Sequence, residues 1–265
     1  MKSYAGLGQY VPVSSPVHRL DAASKIAVTA AFTAGLFLAG SFHGLAAFAV
    51  LVALAALLAR VPVVLMLRGV RAVSFILLFT VVANALRWQP ATVALVRVGP
   101  LAIDGPGLVA GLFFASRIVL LVVGSSLLTL TTSPVELASG IERVLSPLAR
   151  LRVPVGELAM TLTIALRFIP TTVEEAERVV TAQRARGASF DRGGPVARAR
   201  AYAPVLVPLF FNLFRRADEL ATAMEARCYR GTAGRTRLNA RTMHAVDWTV
   251  ALAGAVLLVT VGVIT

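Results

Sequence analysis

Cysteine is nearly absent from this chain. The one residue of that type, Cys228, excludes an internal disulfide and any cysteine-cluster metal site, and the three histidines (His18, His43, His244) are too scattered to suggest another. Lysine is scarce as well: Lys2 and Lys25 are the only two, and neither follows a loop of the form G-x-x-x-x-G-K-S/T that would cradle phosphates. Any ATP this protein depends on is therefore expected to be hydrolysed by another chain. Acids number 13 against 26 Lys+Arg, and none falls within the long apolar runs. That absence removes the carboxylates with which membrane-embedded lipid or prenyl transferases hold Mg²⁺ or move protons. The opening "MKSYAGLGQYVPVSSPVHRL" lacks an apolar stretch long enough for a cleavable signal peptide. Insertion is then expected to be driven by the spans themselves.

What is abundant is apolar. Hydrophobic residues make up 57% of the 265, with a mean hydropathy of +0.79, well beyond a soluble globular domain, so the chain reads as an all-α integral membrane protein. The run from Ile26 to Ala59 is too long for one span of about 20 residues, and "AGSFHG" (Ala39 to Gly44) offers a turn between two helices, about 25–40 and 44–60. Further spans are expected from about Val70 to Trp88, Gly107 to Thr132, and Trp248 to Ile264. Five crossings put the termini on opposite sides. Basic residues remain in the cytoplasm, which places the N-terminus and the long segment before the last span there and the C-terminus outside.

The expected organisation is a membrane domain over 1–132, a cytoplasmic domain over 133–246 and a final transmembrane helix over 247–265. The middle part carries seventeen arginines and ten acids, a net +7. Ser133-Pro134-Val135-Glu136 is a capping box that starts a short helix to about Leu145. Pro154 opens a long helix with an apolar stripe at Leu162, Leu166, Ile169, Val173, Ala176 and Val180, spaced by 3 and 4. Glu174 and Arg178 form an i,i+4 pair beside it, and Pro170 is expected to kink it. After "ASFDRGGP" the layout repeats, with Leu206, Phe210, Leu213, Ala217, Leu220 and Met224 as the stripe and Arg215 with Glu219 as the pair. As continuous helices, each would extend roughly 40–50 Å.

Both long helices end on Ala-Arg-small: Ala185-Arg186-Gly187 and Ala226-Arg227-Cys228. Arginine at a helix C-terminus followed by glycine is an ordinary capping pattern. Its recurrence, and a cysteine where glycine serves best, count against capping alone. A guanidinium at a helix tip is also suited to enter a partner's groove and grip carboxylates or carbonyls. Arg117 is the one charge well inside an expected span, and packing within the bundle accounts for it better than substrate contact. Gly107-x-x-x-Gly111 with Ala115 offers a close approach to a neighbouring helix.

The stretches "SPVHRLDAASKI", "TLTTSPVELASGIERVLSPLARLRVP", "ALRFIPTTVEEAERVVTAQRARG" and "LFRRADELATAMEARCYRG" together resemble the transmembrane T component of energy-coupling factor transporters, a prokaryotic plasma-membrane family. The resemblance implies a scaffold that joins two cytoplasmic ATP-binding-cassette ATPases, a homo- or heterodimer, to one small membrane S component at a time, the S component capturing a vitamin or metal ion. It implies that Ala185, Arg186 and Gly187 dock on one ATPase and Ala226, Arg227 and Cys228 on the other. Cys228 departs from the Ala-Arg-Gly or Ala-Arg-Ser form. Packing against the S component falls on Gly107, Gly111, Ala115, Leu162, Leu166, Ile169, Leu206, Phe210 and Leu213. No catalytic residue, cofactor or metal belongs to this chain in that reading; ATP and Mg²⁺ sit on the partner ATPases. "MEARCYRG" followed by "TAGRTRLN" is more similar to T components that serve several exchangeable S components. The alternative readings are a basic membrane protein binding anionic lipid or nucleic acid and a membrane-embedded enzyme. Acids interspersed among the arginines fit helices that meet proteins better than a phosphate-binding surface.

Overall fold

The computed structural model of the chain describes residues 10–11, 13–87, 94–98, 101–151, 153–190 and 194–231, with separate helical positions between 247 and 263. Two compact units divide it, residues 1–144 with 241–265, and residues 145–240.

In the first unit, α1 (Pro16–Arg19) leads into α2 (Ala22–Leu38) and α3 (Phe42–Ala59), the two helices expected from the first apolar run. The turn between them is fixed by Ser41, whose hydroxyl accepts the Gly44 N–H at 3.2 Å. At 18 and 27 residues, α3 and α6 (Gly105–Thr131) are long and apolar enough to cross a bilayer, while α2 has 17. The span expected from Val70 to Trp88 is instead two helices, α4 (Val63–Ala72) and α5 (Ser74–Ala85), bent by 57°. At the break the Val73 N–H turns back to Val70 O (3.2 Å) and the Ser74 hydroxyl donates to Arg71 O (2.9 Å). The 12 residues of α5 reach only about 18 Å, short of the roughly 30 Å of a hydrocarbon core.

A short antiparallel ribbon follows α5, a departure from the expected all-α chain. Strands β1 (Leu86–Arg87), β2 (Ala94–Val98) and β3 (Leu101–Asp104) pair in the order β1-β3-β2, with Leu86 opposite Ile103 and Val98 opposite Leu101. The core of the unit gathers Leu36, Phe48 and Leu130, each at most 2% exposed, with Phe32 edge-on to Phe48 at 5.6 Å. Leu258 belongs to it too; the rest of the expected fifth span lies largely outside the described residues.

At one end of this unit a buried polar network ties distant segments together. Lys25, only 7% exposed, donates to Thr131 O at 2.9 Å and His18 O at 3.4 Å. Asp21 accepts the Ala23 N–H at 3.0 Å as the cap of α2, meets Arg143 Nη1 at 2.7 Å, and donates its own N–H to Asp247 Oδ1 at 3.1 Å. Buried charges persist only when paired and hydrogen-bonded. The Arg143 contact explains why α7 (Pro134–Leu145) belongs to this unit: the structural boundary falls after Val144, where the sequence placed it after residue 132. The capping box forms as expected. Glu136 N–H donates to Ser133 Oγ at 3.3 Å and Ser133 N–H to Glu136 Oε2 at 3.2 Å.

The second unit opens with a 3-10 turn (Ser146–Leu151), then α8 (Val155–Ala185), α9 (Pro195–Ala201) and α10 (Ala203–Ala226). Helix α8 continues through Pro170 for 31 residues, about 46 Å. Helix α10 is shorter than expected, 24 residues or about 36 Å. Pro204 has no amide hydrogen, so it sits at the start of α10 and keeps α9 from running into it.

Candidate functional site

The two Ala-Arg-small tripeptides fold identically. In α8, Ala185 is the last helical residue, Arg186 the cap (φ −85, ψ 7), and Gly187 takes φ +90. In α10, Ala226 is last, Arg227 caps (φ −90, ψ 13), and Cys228 takes φ +57. The closing hydrogen bonds match one for one. Ala188 N–H donates to Gln183 O and Gly187 N–H to Arg184 O, both at 3.0 Å; Tyr229 N–H donates to Met224 O at 3.0 Å and Cys228 N–H to Glu225 O at 2.8 Å. Each end is a Schellman cap.

Capping is therefore real at both ends, and Cys228 adopts the left-handed conformation that its side chain disfavours. That choice costs on the order of 1–2 kcal/mol relative to glycine. All six tripeptide residues are exposed, and among the described residues no carboxylate pairs with Arg186 or Arg227. Each helix thus carries one exposed arginine on the same backbone geometry at its tip. Behind the first tip, Phe190 is buried against Tyr202 (4.9 Å between rings) with the Arg184 guanidinium 5.8 Å from its ring.

The helices that carry these tips meet at a polar contact. Glu175 Oε1 accepts from Asn212 Nδ2 at 2.6 Å, and Glu175 Oε2 lies 3.7 Å from Arg216 Nη2. Arg216 Nη1 also donates to Thr171 Oγ1 at 3.1 Å, and its guanidinium stands 5.7 Å from the Phe168 ring. Sequence spacing offers only the i,i+4 pairs here, with no sign of a contact between the two helices. The expected i,i+4 pairs exist at 3.9 Å, Arg178 with Glu174 and Arg215 with Glu219, but they are exposed and contribute little.

The expected apolar stripes divide along their length. Val173, Ala176 and Val180 on α8 and Leu213 and Leu220 on α10 are half-buried, as is Leu166, whereas Leu162, Ile169, Leu206 and Phe210 are exposed. A second apolar row on α10, Val207, Phe211 and Phe214, is more exposed still, at 59, 73 and 69%. Its spacing of 4 and 3 is itself a helical signal legible in the sequence.

In the first unit, the close approach expected at Gly107 and Gly111 is taken by α5 of the same chain. A Cβ at Gly111 would lie 3.0 Å from both Cα and O of Val81, and one at Gly107 would strike Asn84 O. Neither glycine is open to an S component while α5 holds that place; Ala115, one turn on, is half-buried. Arg117 donates from Nη2 to Ala39 O at the end of α2 and faces the rings of Phe113, Phe114 and Phe37 at 4.8, 5.8 and 6.0 Å. It ties α6 to the turn after α2.

Comparison with known proteins converges on one family. Residues 13–238 match the model of the CbiQ family, described as a cobalt transport protein. A protein of Thermosediminibacter oceani called energy-coupling factor transporter transmembrane protein EcfT is 47% identical over 241 residues, covering 91% of this chain and 90% of its own. The protein of that name from Heliobacterium modesticaldum is 45% identical over 255 residues (96 and 95%), and that of Bacillus subtilis 41% over 231 (87 and 87%).

Proposed function

The chain belongs to the CbiQ family, and from that premise we propose that it is the scaffold of an energy-coupling factor importer, joining two cytoplasmic ATPases to a small substrate-capturing membrane subunit. The observation that carries this reading is the pair of similarly capped helix tips, each presenting one exposed arginine, on two helices that touch through Glu175, Asn212 and Arg216. Arg186 enters a groove on one ATPase and Arg227 a groove on the other, where a planar guanidinium grips carboxylates or carbonyls through two donors at once. The Schellman caps fix the direction in which each arginine leaves its helix end, and Ala185, Gly187, Ala226 and Cys228 keep the surface beside it small.

When ATP binding draws the ATPases together, the tips move with them. The polar contact at Glu175, Asn212 and Arg216 then makes α8 and α10 respond as a pair rather than slide past each other. The exposed apolar residues at their other ends, Leu162 and Ile169 on α8 and Leu206, Val207, Phe210 and Phe211 on α10, suit a greasy neighbour better than water. That neighbour is the S component, which reads the cargo, a vitamin or a metal ion such as cobalt. This chain makes and breaks no covalent bond. The N-terminus and the second unit lie in the cytoplasm of a prokaryotic cell, which the arginine distribution supports, and the C-terminus lies outside if the bent pair α4 and α5 together make one crossing.

The test is co-purification from native membranes. The tagged wild type brings down ATPases and a small membrane protein, while Arg186→Ala/Arg227→Ala at equal membrane abundance loses the ATPases. Undiminished ATPase recovery with the double variant sinks the assignment.

A further inference from the structure

We propose that the first unit holds one anionic phospholipid, its phosphate between Arg19 and Arg60 and an acyl chain in the groove between α2, α3 and α6. The first observation is a cavity of about 580 Å³ whose mouth is lined by Arg19, Arg60, Ser14 and Asp247. Both arginines are exposed at the same end of the helices they border. Arg60 is held there in a left-handed backbone conformation (φ 55, ψ 33), with its N–H bonded to the last turn of α3. Asp247 offsets one of the two positive charges, and its Oδ1 is already engaged by the Asp21 N–H, so the mouth keeps a net positive charge.

The second observation is what lies beneath. An apolar cavity of about 460 Å³ shares Pro16 and Leu20 with the mouth and runs past Val28, Ala55, Leu58 and Leu127. A further cavity of about 220 Å³ shares Val28, Ala55, Gly124 and Leu127 with it and reaches Phe32 and Leu258. A charged mouth leading into a continuous apolar trough matches a phosphate attached to a hydrocarbon chain. A soluble anion would leave the trough empty. The third observation is Ser24, which lines the trough, is 1% exposed, and has no hydrogen-bond partner for its hydroxyl among the described residues. A buried unpaired hydroxyl is costly, and a glycerol-ester carbonyl at the boundary between headgroup and chain is the acceptor it lacks. Lys25 lines the same trough, but its ammonium is committed to the Thr131 and His18 carbonyls.

Charge selects the headgroup. Phosphatidylglycerol presents a net negative charge to the two guanidinium groups, whereas the choline of phosphatidylcholine cancels it. Two arginines near the surface, partly offset by Asp247, support a preference of roughly tenfold. The site does not depend on whether α8 and α10 dock ATPases.

The experiment uses the purified full-length chain, delipidated in mild detergent and offered phosphatidylglycerol and phosphatidylcholine at equal concentration, with retained lipid counted by native mass spectrometry. Wild type is expected to keep phosphatidylglycerol about tenfold over phosphatidylcholine. Arg19→Ala/Arg60→Ala should bring the ratio to about one, and Ala55→Phe, which fills the trough, should reduce retention of both lipids while leaving the ratio. Wild-type thermal unfolding supplies a readout that needs no variant: phosphatidylglycerol raises the midpoint, and inorganic phosphate or glycerol phosphate does not. Equal retention of the two lipids by wild type overturns the proposal. So does a preference that survives loss of both arginines, or stabilisation by inorganic phosphate equal to that by phosphatidylglycerol.

Discussion

Replacing Arg216 by methionine removes the guanidinium that makes most of the polar contacts between α8 and α10 while keeping an unbranched side chain of similar helix propensity. The ion pair to Glu175, at 3.7 Å with side chains 37 and 22% exposed, contributes up to about 1 kcal/mol. The 3.1 Å bond to Thr171 adds about 1 kcal/mol, and the contact with the Phe168 ring about 0.5 kcal/mol. These terms share one guanidinium and do not add fully, so the contact weakens by about 2 kcal/mol, close to thirtyfold in its equilibrium. The Asn212–Glu175 bond remains and keeps the helices associated. In proteoliposomes containing the assembled transporter, Arg216→Met should leave the ATPases bound and their basal turnover near wild type, while uptake per ATP hydrolysed falls severalfold. A double-mutant cycle of Glu175→Gln with Arg216→Met, followed by thermal unfolding, should return a coupling of about 1 kcal/mol. Unchanged uptake per ATP in Arg216→Met would show that this contact transmits nothing.

Two smaller expectations follow from the backbone. Because Cys228 carries a side chain at φ +57 and Gly187 none at φ +90, Cys228→Gly should stabilise its helix end and Gly187→Ala destabilise the other, each by about 1 kcal/mol. Amide exchange of the last turn measures both, and changes of the same sign contradict the cap geometry. Gly111→Val places methyl groups where Val81 backbone already lies within 3.0 Å of a Cβ. The loss expected is at least about 2 kcal/mol and a fall in detergent-stable yield, whereas a wild-type melting point would mean that α5 does not pack there.

Some of this was readable from one dimension. The turn at Ser41, the reciprocal cap at Ser133 and Glu136, and the end of α7 at Leu145 are local, and local chemistry announces itself within a few residues. The break at Val73 was not, because an apolar run reads the same whether it crosses a membrane straight or bends. The ribbon over 86–104 is too short for alternation to stand out. Glu175 shows the same limit at the contact between α8 and α10. Sequence spacing offers Glu174 and Arg178 to each other, but which acid faces Asn212 and Arg216, 37 and 41 positions on, depends on where two helices meet. The Asp21–Asp247 contact joins residues 226 apart. Its motif, "SPVHRLDAASKI", was visible as a resemblance without any hint that it anchors α7 and the chain's end. At Cys228, sequence logic judged the side chain a poor left-handed cap; the six-residue closure from Met224 to Tyr229 takes that conformation nonetheless.

Both helix tips are proposed to touch ATPases, and Cys228 provides a native handle on one of them, being the chain's single cysteine and exposed at the tip. Native membranes would be labelled with a photoactivatable maleimide, illuminated, and the products attached to this chain identified. Gly187→Cys in a Cys228→Ser background would report on the other tip. An ATPase subunit covalently joined from each position is expected, and no such product with Cys228→Ser alone. Products containing only lipid or the S component, from membranes in which the ATPases still co-purify, would contradict it.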